Sequence, residues 1–359
     1  MKASNIFKNK KVLITGHTGF KGAWLSFILN QLGAKVTGIS DYNFTKPSLY
    51  KILKLNQRID SRKIDICNSE KISNIINNTQ PNFIFHLAAQ SLVHYSYKNP
   101  LKTWQTNAIG TINVLDSLKK IKNKCVVIMI TSDKCYENLE WSWGYRETDK
   151  LGGSDPYSAS KGAAEFAIKS YVDSFYSKND KIRLGIGRAG NVIGGGDWAE
   201  NRIIPDCIRA WSTNKIVSLR NPNSTRPWQH VFEPLSGYMN LAAYLNKSKS
   251  IHGDPFNFGP KSENEFSVHE LVKEMKKHWD KVKWKIDLNK NSYNEAGLLK
   301  LNCDKANHIL NWKPTWGFER TISETMIWYK TFYNQPKSIL DLSISQIQNF
   351  LDDAKMKID

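Results

Sequence analysis

The residues best suited to chemistry fall in two short stretches, Thr131-Ser132-Asp133-Lys134 and Asp155-Pro156-Tyr157-Ser158-Ala159-Ser160-Lys161. Asp155 as N-cap and Pro156 at the first helical position predict a helix start, so Tyr157 and Lys161, four residues apart, point the same way. An ammonium beside a phenol stabilises the phenolate and lowers a pKa that is otherwise about 10. A phenol tuned in this way can take the proton of a hydroxyl group while hydride leaves the same carbon, with Ser132 hydrogen-bonded to the reacting oxygen. Asp133 and Lys134 add an acid and an amine beside them. The YxxxK spacing by itself equally describes a Tyr and a Lys that merely share a helix face, so the surrounding elements must decide.

Those elements alternate between strand and helix. Val126 to Thr131 is a short apolar, β-branched run, the pattern of a buried parallel strand, and its C-terminal end delivers Ser132, Asp133 and Lys134 to the rim of a sheet. Val12 to Thr15 is another such run, leading into Gly16-His17-Thr18-Gly19-Phe20-Lys21-Gly22 and a helix from Ala23 to Leu32. Strand, glycine turn and helix form the arrangement in which a pyrophosphate meets a helix N-terminus, which makes this turn a candidate dinucleotide contact. Its spacing is GxxGxxG, not GxGxxG.

Gly33 to Ile39 supplies a second strand, and Asp41 falls roughly 20 residues beyond the turn, where an acid meets an adenosine ribose or serves as a plain loop residue. Asp65 and Ile66 end a third strand, suited to adenine by side chain and backbone. Asn82 to Leu87 is a fourth, closing on Ala88-Ala89-Gln90-Ser91, where small residues leave a path for a cofactor. Thr106 and Asn107 begin a helix leading back to the fifth strand, and Ile182 to Gly187 is a sixth, ending in Arg188. The expectation is an α/β fold, a Rossmann-type doubly wound parallel sheet whose strand ends converge on one crevice, with a smaller C-terminal lobe.

The rest of the composition excludes several classes. Lys and Arg outnumber Asp and Glu by 51 to 33, a formal charge of +18, but the lysines are dispersed and accompany no nucleic-acid-binding signature. Compositional bias accounts for that charge, with attraction of an anionic nucleotide as a further effect. The five cysteines are scattered without CxxC spacing, which fits a reducing cytoplasm, and no apolar run reaches membrane-span length. The N-terminal stretch lacks the apolar core of a secretory signal. His17, His86, His94 and His230 have no metal-ligand spacing; His86 reads as a hydrogen-bonded core residue.

From about Asn191 the pattern becomes loop-rich. Residues 1–191 read as the cofactor domain, with 227–250 returning to it; 192–226 and 251–335 read as the smaller lobe, and 336–359 as a helical tail. Later elements are a helix near Val268 to His278, a strand near Val282 to Leu288 and a helix near Phe318 to Phe332. Ser343-Ile344-Ser345-Gln346 has the form of a capping box opening the last helix. Arg202 and Arg226 each fit a phosphate group by their guanidinium forks, with Asn191 placed to donate to the same group; either Arg alone also reads as a solvated surface residue.

The chain resembles the extended short-chain dehydrogenases of the NAD-dependent epimerase/dehydratase family, which modify nucleotide sugars. The resemblance spans about Lys10 to Tyr329 and rests on GHTGFKG (Gly16 to Gly22), HLAAQS (His86 to Ser91), TSDKCY (Thr131 to Tyr136), DPYSASKGAAE (Asp155 to Glu165), RAGNVIGGGDW (Arg188 to Trp198) and RPWQHVFEPLSGY (Arg226 to Tyr238). TSDKCY and RPWQHV resemble the branch that acts on CDP-sugars. The likeness implies an NAD cofactor held by Gly16, Thr18, Gly19, Phe20, Lys21, Gly22, Asp65, Ile66, Leu87, Ala88, Ala89, Thr106, Tyr157, Lys161 and Arg188. It implies CDP-glucose as substrate, held by Ser91, Ser132, Asn191, Arg202 and Arg226, and a catalytic set of Ser132, Asp133, Lys134, Tyr157 and Lys161 with no metal.

The implied reaction is a dehydration: Tyr157 deprotonates O4 as hydride passes from C4, Asp133 protonates the departing C6 oxygen, and Lys134 is the counterpart of the C5 base. A free Lys, with a pKa of about 10.4, needs desolvation and a neighbouring cation such as Lys161 for that task; the plain alternative is an Asp133–Lys134 salt bridge outside the pocket. A homodimer packed through helices around Thr106 and Tyr157 fits the same family. The sequence departs from the family pattern at Asn201, at Asn294 before Glu295 and at Asn311, the last suited to a left-handed helix end. Rival functions are a dehydratase or 4-epimerase of another nucleoside-diphosphate hexose, or an inactive NAD-binding protein.

Overall fold

The computed structural model describes residues 5–42, 44–219, 221–261, 265–287 and 298–356. Asn294, Glu295 and the far end of the strand expected near Leu288 lie outside the described residues. Seven strands form one sheet: β1 (Lys11–Thr15), β2 (Lys35–Ser40), β3 (Asp60–Lys63), β4 (Phe83–His86), β5 (Cys125–Ile130), β6 (Ile182–Ala189) and β7 (Pro255–Phe258). Their order is β7-β6-β5-β4-β1-β2-β3, and every pairing is parallel. The order reverses beside β1, and that switch point is where doubly wound sheets open a ligand crevice at their carboxyl ends. Because β7 belongs to this sheet, the return of the chain reaches Phe258 and does not stop at 250.

Residues in a strand alternate between the two faces, and here both faces are buried. Val12, Ile14, Phe83, Phe85, Val126 and Ile128 join one core, whereas Leu13, Ile84, Cys125, Val127 and Met129 join the other. The first core is covered by α1 (Phe20–Gln31), the second by α2 (Ser69–Thr79), α3 (Gly110–Ser117) and α4 (Pro156–Tyr171). α5 (Ile203–Ser212), α6 (Phe232–Lys247), α7 (Val268–Lys276), α8 (Phe318–Asn334) and α9 (Ile339–Asp353) extend the first core through residues such as Trp211, Phe232, Leu271, Trp328 and Phe350. Asp155 caps α4, accepting from the Tyr157 and Ser158 N–H groups at 2.9 and 3.0 Å. Such a cap contributes about 1 kcal/mol, less than the roughly 1.5–3 kcal/mol from burying Ile168 alone; the cap sets where α4 begins, and packing holds it there.

Several local expectations change. α1 starts at Phe20, so Phe20, Lys21 and Gly22 are its first turn and not a loop before it. Thr106 and Asn107 do not begin a helix; they sit in a wide π turn, Gln105–Ile109, inside a helical run that opens at Pro100. Asp65 and Ile66 lie beyond the end of β3. Ser343 does not cap α9, which begins at Ile339: its hydroxyl is buried, accepting from Trp328 Nε1 at 2.9 Å, while Gln346 bonds Glu324 at 2.7 Å. The tail therefore docks on α8 of its own chain. Asn311 ends its helix at φ +50°, as a left-handed terminus requires.

Candidate active site

Ser132, Asp133 and Lys134 follow β5 directly, and Tyr157 and Lys161 reach the same rim from α4. Ser132, Asp133, Tyr157 and Lys161 are all buried, Lys134 half so. Ser132 Oγ accepts the Lys134 N–H at 3.2 Å and donates to Asp133 Oδ1 at 2.8 Å. No ion pair joins Asp133 to Lys134 among the described residues. Asn107 fixes α4 against the loop after β4: its amide donates to Ser160 Oγ at 2.9 Å and to Gln90 O at 3.0 Å.

The charge balance differs from the expectation of an ammonium-depressed phenol. Burial pushes the Tyr157 phenol up to about 12, partly offset by its hydrogen bond with Ser132. The same burial pulls the Lys161 ammonium down to about 8, while Cys135 and Glu165 act to raise it. Burial is the largest cause of both shifts, because each group loses hydration that favours its charged form. Lys21 is drawn into the same field: burial takes it down to about 8 against the pull of Asp133, with Arg202 and Lys161 lowering it further. His86, buried between Thr15 Oγ1 (2.8 Å) and Thr111 Oγ1 (3.1 Å), is pulled down to about 3 by burial.

Arg188 is turned into the fold. It is 3% exposed and bonded to both Glu165 oxygens at 2.9 Å, to Tyr136 Oη at 2.8 Å and to the Glu147 carbonyl at 3.0 Å. Thr131 Oγ1 donates to the same Glu165 at 2.5 Å, so this buried pair braces the end of β5 from behind. The resemblance implies a cofactor contact for Arg188; here four of its five N–H donors are used within the fold.

The glycine turn fits a dinucleotide. Gly16 stands at φ +77°, and a Cβ there would meet Ala88 at 2.8 Å; one at Gly22 would meet the Gly16 carbonyl at 2.0 Å. Around Gly19, by contrast, only the Gly16 carbonyl comes within 4 Å of where a Cβ would lie, at 3.4 Å, leaving room for a phosphate to approach the uncapped first turn of α1. The buried Lys161 ammonium makes no hydrogen bond to the described residues. Thr18 ties the turn to β2 through Ser40 at 2.6 Å, and Ala88 N–H donates to Thr15 Oγ1 at 3.0 Å, holding Leu87, Ala88 and Ala89 against it. Phe20 packs towards Gly194.

At the other end of the turn, Asp65 accepts the Cys67 N–H at 2.9 Å and pairs with Lys102 at 3.4 Å. Burial pushes its carboxyl up, but these partners outweigh it and leave Asp65 below the usual range. Thr106 borders this group through Cys67, and Asp41 acts on the charge of Lys102. Ile66 offers less than expected: its side chain packs under Gly110 in the core and its carbonyl accepts from Asn113 at 3.0 Å.

A cleft is lined by Asp133, Gly190, Thr225, Arg226, Lys261, Glu265 and Lys300. Arg226 lines it, but Arg202 is held elsewhere, paired with buried Asp197 at 2.9 Å and close enough to act on Tyr157 and Lys21. Ser91 and Asn191 stay exposed, Asn191 beside the lining Gly190. Gln229, although inside the RPWQHV run, was not legible as a site residue, and Glu265 and Lys300 lie in no quoted motif; the bridge between Tyr145 and Leu301 helps bring Lys300 to the cleft. No helix among the described residues is long and apolar enough to cross a membrane.

Comparison with known proteins bears on the family and the fold. A family model described as GDP-mannose 4,6 dehydratase matches residues 13–325. A CDP-glucose 4,6-dehydratase of Salmonella typhimurium is 45% identical over 333 residues, 91% of this chain and 92% of the relative. Among solved structures, an epimerase of Methanothermobacter thermautotrophicus superposes with a TM-score of 0.80 at 20% identity, covering 94% of this chain and 96% of the other. The UDP-glucuronic acid 4-epimerase of Bacillus cereus, solved with UDP-glucuronic acid and NAD, superposes at 0.77 and 22% identity over 90% of this chain and all (100%) of the other. At such identities the structural likeness speaks for the fold.

Proposed function

We propose, since the chain belongs to the GDP-mannose 4,6 dehydratase family, that it is a hydro-lyase carrying out the NAD-dependent dehydration of CDP-D-glucose to CDP-4-keto-6-deoxy-D-glucose, the entry to deoxysugars. The observation that carries the reading is Asp133, a buried carboxyl group that is bonded to Ser132 and also lines the cleft with Arg226. A 4-epimerase needs the phenol, the serine and the lysine; expelling water requires an acid besides.

NAD, bound along the glycine turn, supplies the acceptor for the C4 hydride and its return to C6. Tyr157 takes the O4 proton, Ser132 holds that oxygen, and Lys161 supplies a cation at the same point. Asp133 protonates the leaving C6 oxygen. Lys134, half-buried and without an ion-pair partner among the described residues, takes the C5 proton and gives it back to C5 as hydride returns to C6. Arg226, which lines the cleft, holds the diphosphate together with Asn191, Ser91 contacts the sugar, and Arg202, tethered by Asp197, steadies charge at the hexose end.

We assign residues 192–226 and the chain beyond Phe258 to the nucleotide-sugar side. The exposed Leu101, Trp104, Ile109 and Phe166, on adjoining helices, support a homodimer through that face. Five free cysteines suit the reducing cytoplasm. The test is incubation with CDP-, UDP-, dTDP- and GDP-hexoses and NAD. The alkali-induced absorbance of a 4-keto-6-deoxy sugar should appear with CDP-glucose; interconversion of C4 epimers without that absorbance would make the protein an epimerase.

A further inference from the structure

Each turnover of the proposed dehydration leaves two side chains with the wrong proton count. Tyr157 has gained the proton of O4, and Asp133 has lost the one that it gave to the C6 oxygen. The C4 hydride returns at C6 and the C5 proton returns to C5, so the sugar's net loss is the C6 hydroxyl and the O4 proton, which together make the departing water. One proton must therefore travel from Tyr157 to Asp133 before the next substrate can react.

The structure holds a path for it. Ser132 Oγ donates to Asp133 Oδ1 at 2.8 Å and is hydrogen-bonded to Tyr157. A serine hydroxyl has one donor and two acceptor positions. With the Lys134 N–H on one lone pair at 3.2 Å and its own hydrogen directed at Asp133, the second lone pair of Ser132 is left for the Tyr157 O–H. All three side chains are buried, so a proton passed among them need not enter bulk water. The two oxygens of Asp133 have different neighbours: Oδ1 meets Ser132, and Oδ2 faces Gly190, which lines the cleft. Half a turn about Cβ–Cγ exchanges them, in a torsion that is broad and two-fold for Asp. Burial pushes the Tyr157 phenol up to about 12, so at neutral pH it holds its own proton and accepts another only by passing that one on.

We propose that Tyr157, Ser132 and Asp133 form a proton relay that loads the dehydrating acid with the proton of O4. As hydride leaves C4, the O4 hydroxyl becomes that of a protonated ketone, a strong acid, and its O–H bond breaks toward Tyr157 Oη. The phenol's own proton passes to Ser132 Oγ, and the serine's proton to Oδ1 of the Asp133 carboxylate. Asp133 then turns and protonates the C6 oxygen as the C6–O bond breaks, while Lys134 holds the C5 proton that it later returns. All three members of the relay end as they began. Asp133 thus acts in the oxidation at C4 as well as in the loss of water. The relay deepens the dehydratase reading and rests on it.

The test separates the two steps in Asp133→Asn, with CDP-glucose and NAD and the full chain. The amide cannot take up the relayed proton, so oxidation itself should stall. Appearance of NADH by absorbance, and exchange of the C5 hydrogen in deuterated water, which requires the 4-ketone, should both run at least about tenfold below wild-type turnover. An acid that serves only the C6 oxygen predicts the opposite: a variant that forms NADH and exchanges C5 hydrogen as fast as the wild type turns over, yet releases no water. Either signal above about a tenth of wild-type turnover overturns the relay. Ser132→Ala supplies the second measurement, because it already cuts the path. Adding Asp133→Asn to it should slow NADH formation by less than about twofold more, whereas a full further loss would give Asp133 an independent effect on that step and overturn the relay. A wild type that neither dehydrates CDP-glucose nor reduces NAD with it refutes the dehydratase reading; wild-type dehydration beside undiminished oxidation in Asp133→Asn refutes the relay alone.

Discussion

The Ser132 hydroxyl donates to Asp133 Oδ1 at 2.8 Å, leaving Oδ2 to face Gly190, where even a Cβ would come within 3.2 Å of it. The Asp133 carboxyl is thus oriented by Ser132, and it stands against a glycine.

Asp133→Asn keeps the shape and removes the transferable proton. Product formation from CDP-glucose should fall by roughly 10²–10⁴-fold, the usual contribution of a general acid. NAD affinity, followed by fluorescence titration, should hold, and unchanged turnover would remove Asp133 from the mechanism.

Lys161 is cationic only below about pH 8, because burial lowers its pKa. Its charge is lost as pH rises, so kcat/KM should decline on the alkaline side with a midpoint near 8. Lys161→Arg, which stays charged, should move that limb upward; a limb unmoved in the variant would assign it to another group.

Glu165→Gln breaks the buried pair with Arg188 and should cost about 3–5 kcal/mol in urea unfolding, the penalty for stranding a buried charge. It also removes an anion that raises Lys161. The alkaline limb should therefore shift to lower pH, a change that loss of stability alone would not produce.

Glu233 is buried and accepts the Trp316 and Thr315 N–H groups at 2.7 and 2.9 Å; burial nevertheless pushes it up to about 7. Between about pH 4.5 and 7 the folded protein holds a proton here that the unfolded chain has lost, so this group's contribution falls as pH rises and is gone above about 7. The buried His86 and His230, both lowered to about 3, act with the opposite sign. The difference in unfolding free energy between wild type and Glu233→Gln isolates the carboxyl and should shrink by about 3 kcal/mol from pH 5 to pH 8. A flat difference would show that the two N–H groups already satisfy the ionised form.

Much of this protein is written in contiguous residues. Short continuous apolar runs specify the strands, glycine spacing specifies the turn before α1, and Asp155-Pro156 with Tyr157 and Lys161 one helical turn apart specifies which side chains share a rim. All of these are short-range constraints, imposed by backbone sterics, capping and helix geometry wherever such residues occur. Tertiary structure settled what those patterns leave open: that Arg188 is turned inward onto Glu165, that Ser343 is buried against Trp328, that Tyr157 is raised and Lys161 lowered, and that Glu265 meets Lys300. Each depends on which groups lose water together when distant segments close on one another, and dehydration is a property of the packed fold, not of any local run of residues.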